Sequence, residues 1–503
     1  MAMTQAQKSL VTMSVLLVAA GGMGAFAYWG VYKGEEAEEK KNDEQAKIFE
    51  FDKTKVKSMA LLTKGGPVSI EKTENNWRLT APIQARSDKG AIDAIVDKLS
   101  ELKAKNLNEG SKDKLQPEYV VATAPDEATL KKFGLDKPEL SASLVLDDGK
   151  KVEVEIGAEN PYDKSVYFRR AKDNRVYLGD SGIKYPLDKT IFDLRDKSIV
   201  VQDNKDVQSI AVAGNGHAWA AERDGDGWKL TAPLLDRGDK ETIESILTRI
   251  QTTRAKSFIV ESLANGTEAA KYGLDKPLIE IVFTIGADKA RKTLDIGEVV
   301  KGTDRRQYAH LKEGGPVAEI DDSLSHEILK DPGQLRERTI HPFDRTKVAK
   351  IEIEAADGGK FTVLHSKEKA AGATYESDKF TVEGHSDNLK TWKMSSALFT
   401  LASLKGATIV DDAVSDLSRY GLDKPQWSYR VVGDDGKELA HLLIGAMAGT
   451  RYFVTEAGTS KVFDVEKTTI NELPKTIDEL LDKPAAADAK KPDDTTTVST
   501  EKK

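Results

Sequence analysis

The 503-residue sequence predicts an α+β protein: one N-terminal transmembrane helix, then three tandem related α+β domains, each an antiparallel sheet with helices packed on one face. Two observations predict this. The hexapeptide aromatic-Gly-Leu-Asp-Lys-Pro occurs three times, beginning at Phe133, Tyr272 and Tyr420. Ahead of all three copies stands one run without a charged residue, 10–32.

Residues 1–9 form a short tail that carries Lys8. At a rise of about 1.5 Å per residue, the run 10–32 would extend about 34 Å, enough for a hydrocarbon core of about 30 Å. Tyr28, Trp29 and Tyr32 cluster at one end, as interfacial aromatics do. Ala25-Phe26-Ala27 also fits a signal-cleavage site, so a removed secretory signal is the rival reading. The apolar run continues past that site to full spanning length, which favours an uncleaved anchor. Either way the bulk of the chain is expected on the far side of a membrane, and no second long apolar run follows. Residues 33–47 read as a charged linker.

The three copies delimit units at 48–199, 200–340 and 341–483. Their glycines, Gly134, Gly273 and Gly421, lie 139 and 148 residues apart, a domain-sized spacing. Other pieces recur in register. Trp77-Arg78-Leu79-Thr80-Ala81-Pro82 matches Trp228-Lys229-Leu230-Thr231-Ala232-Pro233, and Ile156-Gly157, Ile296-Gly297 and Ile444-Gly445 each end a strand-like run. In the third unit the position of Trp77 falls on Lys379, beside Phe380. Within each unit strands come first, and an amphipathic helix follows. Ser87 is the expected N-cap of the first, with Ile92, Ile95, Val96, Leu99 and Leu102 as its apolar stripe. Ile243, Ile246, Leu247 and Ile250 make the stripe of the second, and Met394, Leu398, Leu401 and Ala402 that of the third. A short helix ending at the repeated glycine, further strands and a closing helix complete the unit. Residues 484–503, rich in Pro, Thr, Lys and Asp, read as a disordered tail.

Composition narrows the function. Seventy-five Lys+Arg against 83 Asp+Glu give a net charge of -8 with no basic stripe, which argues against nucleic acid as a partner. The absence of cysteine removes disulfides, thiolate catalysis and zinc–sulfur sites. The repeated hexapeptide reads as a helix stop: glycine takes the left-handed conformation, leucine packs behind it, and proline blocks continuation. Trp77 and Trp228 are the candidate binding residues, as a ligand platform, but packing of strand on helix is the preferred role. Asp224-Gly225-Asp226-Gly227 lacks the distal glutamate of a calcium loop and reads as a hairpin turn. The seven histidines show no helical metal-ligand spacing, and no phosphate loop or Gly-x-Ser-x-Gly elbow is present. No catalytic, cofactor-binding or metal-binding residue is assigned.

The repeated units, the tryptophan-Arg/Lys-Leu-Thr-Ala-Pro strand and the Gly-Leu-Asp-Lys-Pro stop resemble the bacterial family called domain of unknown function 4340. That resemblance implies an envelope protein with a single N-terminal span, of a kind often encoded beside ABC-type exporter permeases and auxiliary subunits. The expected function is therefore a non-enzymatic accessory or scaffold protein, single-pass in the bacterial inner membrane with its bulk in the periplasm, partnered by an ABC-type permease or auxiliary subunit. The alternative is an envelope polymer-binding module or hydrolase that uses carboxylates invisible to local spacing.

Overall fold

The computed structural model describes residues 33–482, except 75, 110–115, 265, 304, 370–373 and 386–388, with side chains described from residue 40 onward. The expected tail at 1–9, span at 10–32 and tail at 484–503 lie outside the described residues. Among the described residues no helix is long and apolar enough to cross a membrane.

Three antiparallel sheets follow one another along the chain. The first contains β1 (Val56–Thr63), β2 (Gly66–Lys72), β3 (Trp77–Ala81), β4 (Ala85–Arg86), β5 (Val120–Thr123), β6 (Leu140–Leu146), β7 (Lys151–Glu159), β8 (Val166–Arg170) and β9 (Arg175–Gly179). Their order is β4-β3-β2-β1-β6-β7-β8-β9-β5. Most neighbours are hairpin-connected; β6 returns to pair with β1, and β5 reaches across to pair with β9. The second sheet repeats this order in nine strands. The third has eight among the described residues, with no counterpart of the edge strand β4.

Alternating residues of each sheet meet one long helix. Helix Lys89–Ser100 buries Ile92, Ile95, Val96 and Leu99, one stripe at helical spacing, against Met59, Leu61, Ile70, Leu79, Leu144 and Val154. Helices Lys240–Thr252 and Thr391–Ala402 do the same in their units. The N-cap of the first is Asp88, not Ser87: Asp88 Oδ1 accepts from Ala91 N at 3.0 Å. Ser87 is still extended chain, buried and bridged to Arg195. Asp239 caps the second helix in the same way.

The repeated hexapeptide is a helix stop in all three units. Gly134, Gly273 and Gly421 have φ of 68°, 65° and 63°. The next residue bonds back to the helix, Leu135 N to Leu130 O at 2.8 Å, Leu274 N to Ala269 O at 3.0 Å and Leu422 N to Leu417 O at 3.0 Å. The stop then docks at the Ile-Gly pairs, which do not end their strands as expected but sit at a register shift inside Lys151–Glu159, Ala290–Val299 and Glu438–Ala448. Ala158 N donates to Phe133 O at 2.7 Å, and Glu298 N to Tyr272 O at 2.9 Å. A Cβ on Gly157, Gly297 or Gly445 would stand 2.2, 2.1 or 2.3 Å from the carbonyl oxygen of Phe133, Tyr272 or Tyr420, so these positions admit only glycine without movement. The aromatic of each stop meets an aromatic of the next strand: Phe133 with Tyr167, Tyr272 with Tyr308, Tyr420 with Phe453. Tyr167 alternates with Phe168, which belongs to the main core, so the stop covers the opposite face of the sheet. One-face packing thus describes the long helix and the closing helices, whose Ile183, Leu187 and Leu194 join the same core, while the helix stop lies on the other face.

Two further expectations are corrected. Strand register places Phe380, not Lys379, at the position of Trp77: Ile70 pairs with Leu79 and Val363 with Val382, each two residues beyond the aromatic. Residues Lys33–Ala46 of the charged stretch form a helix, as Glu- and Lys-rich composition favours. Its end docks on the first unit through Ile48 N to Leu102 O (2.9 Å) and Ala104 N to Ala46 O (2.7 Å).

Candidate functional site

Trp77 and Trp228 are both buried, at 4% and 3% exposure. Trp77 donates its indole N–H to Asp93 at 3.2 Å, and Lys72 lies over its ring. Trp228 lies under the Arg223 guanidinium, 4.6 Å from its ring centre. In the third unit His365 stacks on Phe380 at 4.8 Å. Arg223 Nε bonds Val207 O, and His365 Nδ1 bonds the corresponding Val348 O. Each unit therefore uses this strand aromatic as a core plug with a basic side chain laid over it. The edge of Trp77 reaches a shallow cavity of about 260 Å³ beside Lys89 and Asp97.

The hairpin reading of Asp224-Gly225-Asp226-Gly227 is what the chain adopts: Asp224 pairs with Gly227, and Gly225 has φ of 55°. Among the described residues no group of three His, Cys, Asp or Glu is arranged to hold a metal ion.

One polar pair resembling catalytic machinery was not visible in the sequence. Ser428 Oγ lies 2.9 Å from His441 Nε2, on neighbouring strands, in a cavity of about 580 Å³. Burial pushes the His441 imidazole pKa down, as does Arg430. The pair lacks the orienting partner of a general base: His441 Nδ1 faces Arg430 Nη2 at 3.4 Å and Glu438 Oε2 at 4.0 Å, so among the described residues no carboxylate is within hydrogen-bond reach of the imidazole.

The most developed polar constellations lie between units. Arg195, at the end of the first unit, is buried and grips Glu261 of the second through both terminal nitrogens, at 2.7 and 2.9 Å, while stacking on Phe258. Arg336 does the same from the second unit to Asp412 of the third. Arg336 Nε also donates to Asp236 at 2.6 Å, and Lys461 of the third unit adds bonds to Asp236 at 2.8 and 3.0 Å. Burial opposes the Asp236 charge, yet Lys461 and Arg336 hold its carboxyl below the usual range. Lys405 of the third unit reaches the helix cap Asp239 at 2.7 Å.

Backbone bonds reinforce both junctions. Arg195 bridges Ser87 of its own unit, and Ser198, three residues on, bridges Arg254 of the next; Arg336 with Gly238 and Thr339 with Lys405 repeat the pattern. The connecting chain is therefore fastened on both sides with no slack. These contacts escape sequence reading because each joins residues 56 to 225 positions apart. The available signal is positional: the third unit has Leu481 where the others have Arg195 and Arg336, as its bridge to Leu389 shows. The first unit has Thr123 where the later units have Glu261 and Asp412.

The chain belongs to the family described as Domain of unknown function (DUF4340), whose model matches residues 77–277, 228–393 and 371–494. Among curated proteins nothing matches.

Proposed function

We propose that this protein is a non-enzymatic accessory or scaffold of the bacterial envelope, tethered in the inner membrane through residues 10–32 and working in the periplasm beside an ABC-type transport system. The observation that carries the scaffold reading is the pair of locked junctions. Forks from buried arginines to half-exposed carboxylates and zipped connecting chain hold three like units in fixed succession, which suits a spacer or platform more than a catalyst.

A contact surface supports the same reading. Trp392 and Phe399 are 70% and 56% exposed, seven residues apart on one helix. Counting from the N-caps, units one and two hold Gly90 and Asp97, or Glu241 and Thr248, at those positions. An exposed aromatic pair peculiar to one unit is the kind of anchor a partner protein uses. The membrane and transporter parts of the proposal rest on the apolar run and on the family resemblance.

The test is a gently crosslinked detergent extract. The full chain is expected to sediment with membranes and to bring down an ABC-type permease or its auxiliary subunit. Trp392→Ser combined with Phe399→Ser is expected to reduce that recovery. Recovery of the chain alone, or sedimentation unaffected by removal of residues 10–32, overturns the proposal.

A further inference from the structure

We propose that the cleft between the first and second units binds a carboxylate or phosphate group supplied by a molecule other than this chain. The two junctions are built alike, and the second acts as an internal reference for the first.

At the second junction the chain supplies its own central anion. Arg336 directs its terminal nitrogens to Asp412 and its Nε to Asp236, and Lys461 closes on Asp236 from the third unit. At the first junction Arg195 repeats the fork on Glu261. The residue in the register position of Asp236 is Ala85: Asp236 pairs with Leu230 exactly as far along its strand as Ala85 pairs with Leu79. The carboxylate is replaced by a methyl group.

Three features mark what that replacement leaves. Arg195 Nε makes no hydrogen bond among the described residues, although its side chain is only 7% exposed. A buried guanidinium needs its donors matched. A cavity of about 500 Å³ opens at this point, lined by Ala85 and Arg195 and rimmed by Arg78, Arg86 and Lys292. That volume lies in the range of small-ligand sites, about 300–1,000 Å³. The charges around it do not cancel. Asp196 and Glu261 are taken up by Arg86 and Arg195. Arg78 makes no ion pair among the described residues, and Lys292 reaches only the carbonyl of Val201, at 3.5 Å. An anion bound to Arg195 Nε, with Arg78 and Lys292 at its open side, restores the arrangement that Asp236 completes at the other junction.

The ligand class is an anionic group on a small molecule or on an acidic polymer, held without bond making or breaking. Because the cleft contains side chains from both units, its occupancy fastens the first junction further.

Inorganic phosphate is the first probe, titrated into the purified full chain at constant ionic strength with chloride as the reference anion. A saturable rise in melting temperature is expected. Ala85→Asp, which supplies the missing carboxylate internally, should remove the phosphate response while melting at or above the phosphate-free parent. Arg78→Gln with Lys292→Gln, both at the rim, should keep the fold and weaken the phosphate affinity about tenfold. A second arm compares phosphate with polyphosphate: tighter binding per phosphate group points to a polymer as the source, and equal binding to a free anion. The proposal fails if the parent shows no saturable response beyond that to chloride. It fails equally if Ala85→Asp responds like the parent, or if the rim variant binds phosphate undiminished.

Discussion

Asp295 shows how a residue acquires its chemistry from its neighbours. It is 1% exposed, between Glu280 on one neighbouring strand and His310 on the other. Lys312 stands 3.4 Å away but bonds Glu280 more closely, at 2.5 Å. Burial raises the Asp295 pKa from 3.8 to about 6, against the pull of Lys312 and with help from Glu280 and Glu313. His310 is pushed the other way by its own burial. The sign is unusual for a carboxylate. Between pH 4 and 6 the folded chain holds this proton more tightly than the unfolded chain, so the contribution to stability falls as pH rises through that window. Asp295→Asn should therefore gain on the parent across it, by about 2 kcal/mol in the difference between pH 4 and pH 7. Urea unfolding at both pH values measures this, and a difference that does not change with pH contradicts it. The sequence places Asp295 in a strand but not in a buried one, because Leu294-Asp295-Ile296 has the same alternation as any half-solvated strand. The helix cap was missed by a single position for a related reason: Ser87 and Asp88 are both good caps, and the bridge from Ser87 to Arg195, which decides between them, spans 108 residues.

At the scale of elements, the two most legible motifs turn out to be halves of one contact. The helix stop is readable because its requirements are local: a left-handed glycine, a leucine and a proline. The Ile-Gly pair is equally readable as a recurrence, but its reason is not, because the carbonyl that demands glycine arrives from the stop. Gly157→Ala must push the strand away from Phe133 O, loosening the Ala158–Phe133 bond and the packing of Leu135. The expected cost is about 2–3 kcal/mol, the upper part of the range for overpacking. It should be read as faster hydrogen exchange at the amides of Ala158 and Leu135. Gly90→Ala is the matched control. Its Cβ would approach nothing nearer than Asp88 Oδ1 at 3.4 Å, and helix propensity favours alanine by up to about 1 kcal/mol. Equal slowing or equal acceleration in both variants would show that the close approach is not what selects glycine. The Trp77 and Trp228 strands carry the same lesson. Their recurrence was legible and their place in the core followed from strand alternation, whereas the basic lids differ in each unit and become comparable only through register.

For the whole molecule, the informative residues are those that break the repeat. Arginine and carboxylate occupy the junction positions where two units meet, and Leu481 and Thr123 occupy the corresponding positions elsewhere. A junction fork is then favourable only in the presence of its neighbour. Buried ion pairs behave this way in general: each charge is costly to bury alone and is offset only by a complete set of partners. This leads to a prediction whose sign reverses with context. In the full chain, Asp236→Ala with Arg336→Leu removes the bonds to Asp412 and Lys461 and should destabilise by about 2 kcal/mol or more. In a chain ending at residue 340, Asp412 and Lys461 are gone, and Asp236 and Arg336 keep each other, with the Arg237 N–H on Asp236, at a newly exposed surface. There the same double substitution, which copies the alanine of unit one and the leucine of unit three, should be neutral or stabilising. Urea unfolding of the four proteins provides the comparison. If the substitution destabilises both chains equally, Arg336 and Asp236 serve the second unit itself. If the effect disappears or reverses on truncation, they serve the succession of units, which is what a rigid multi-unit scaffold requires.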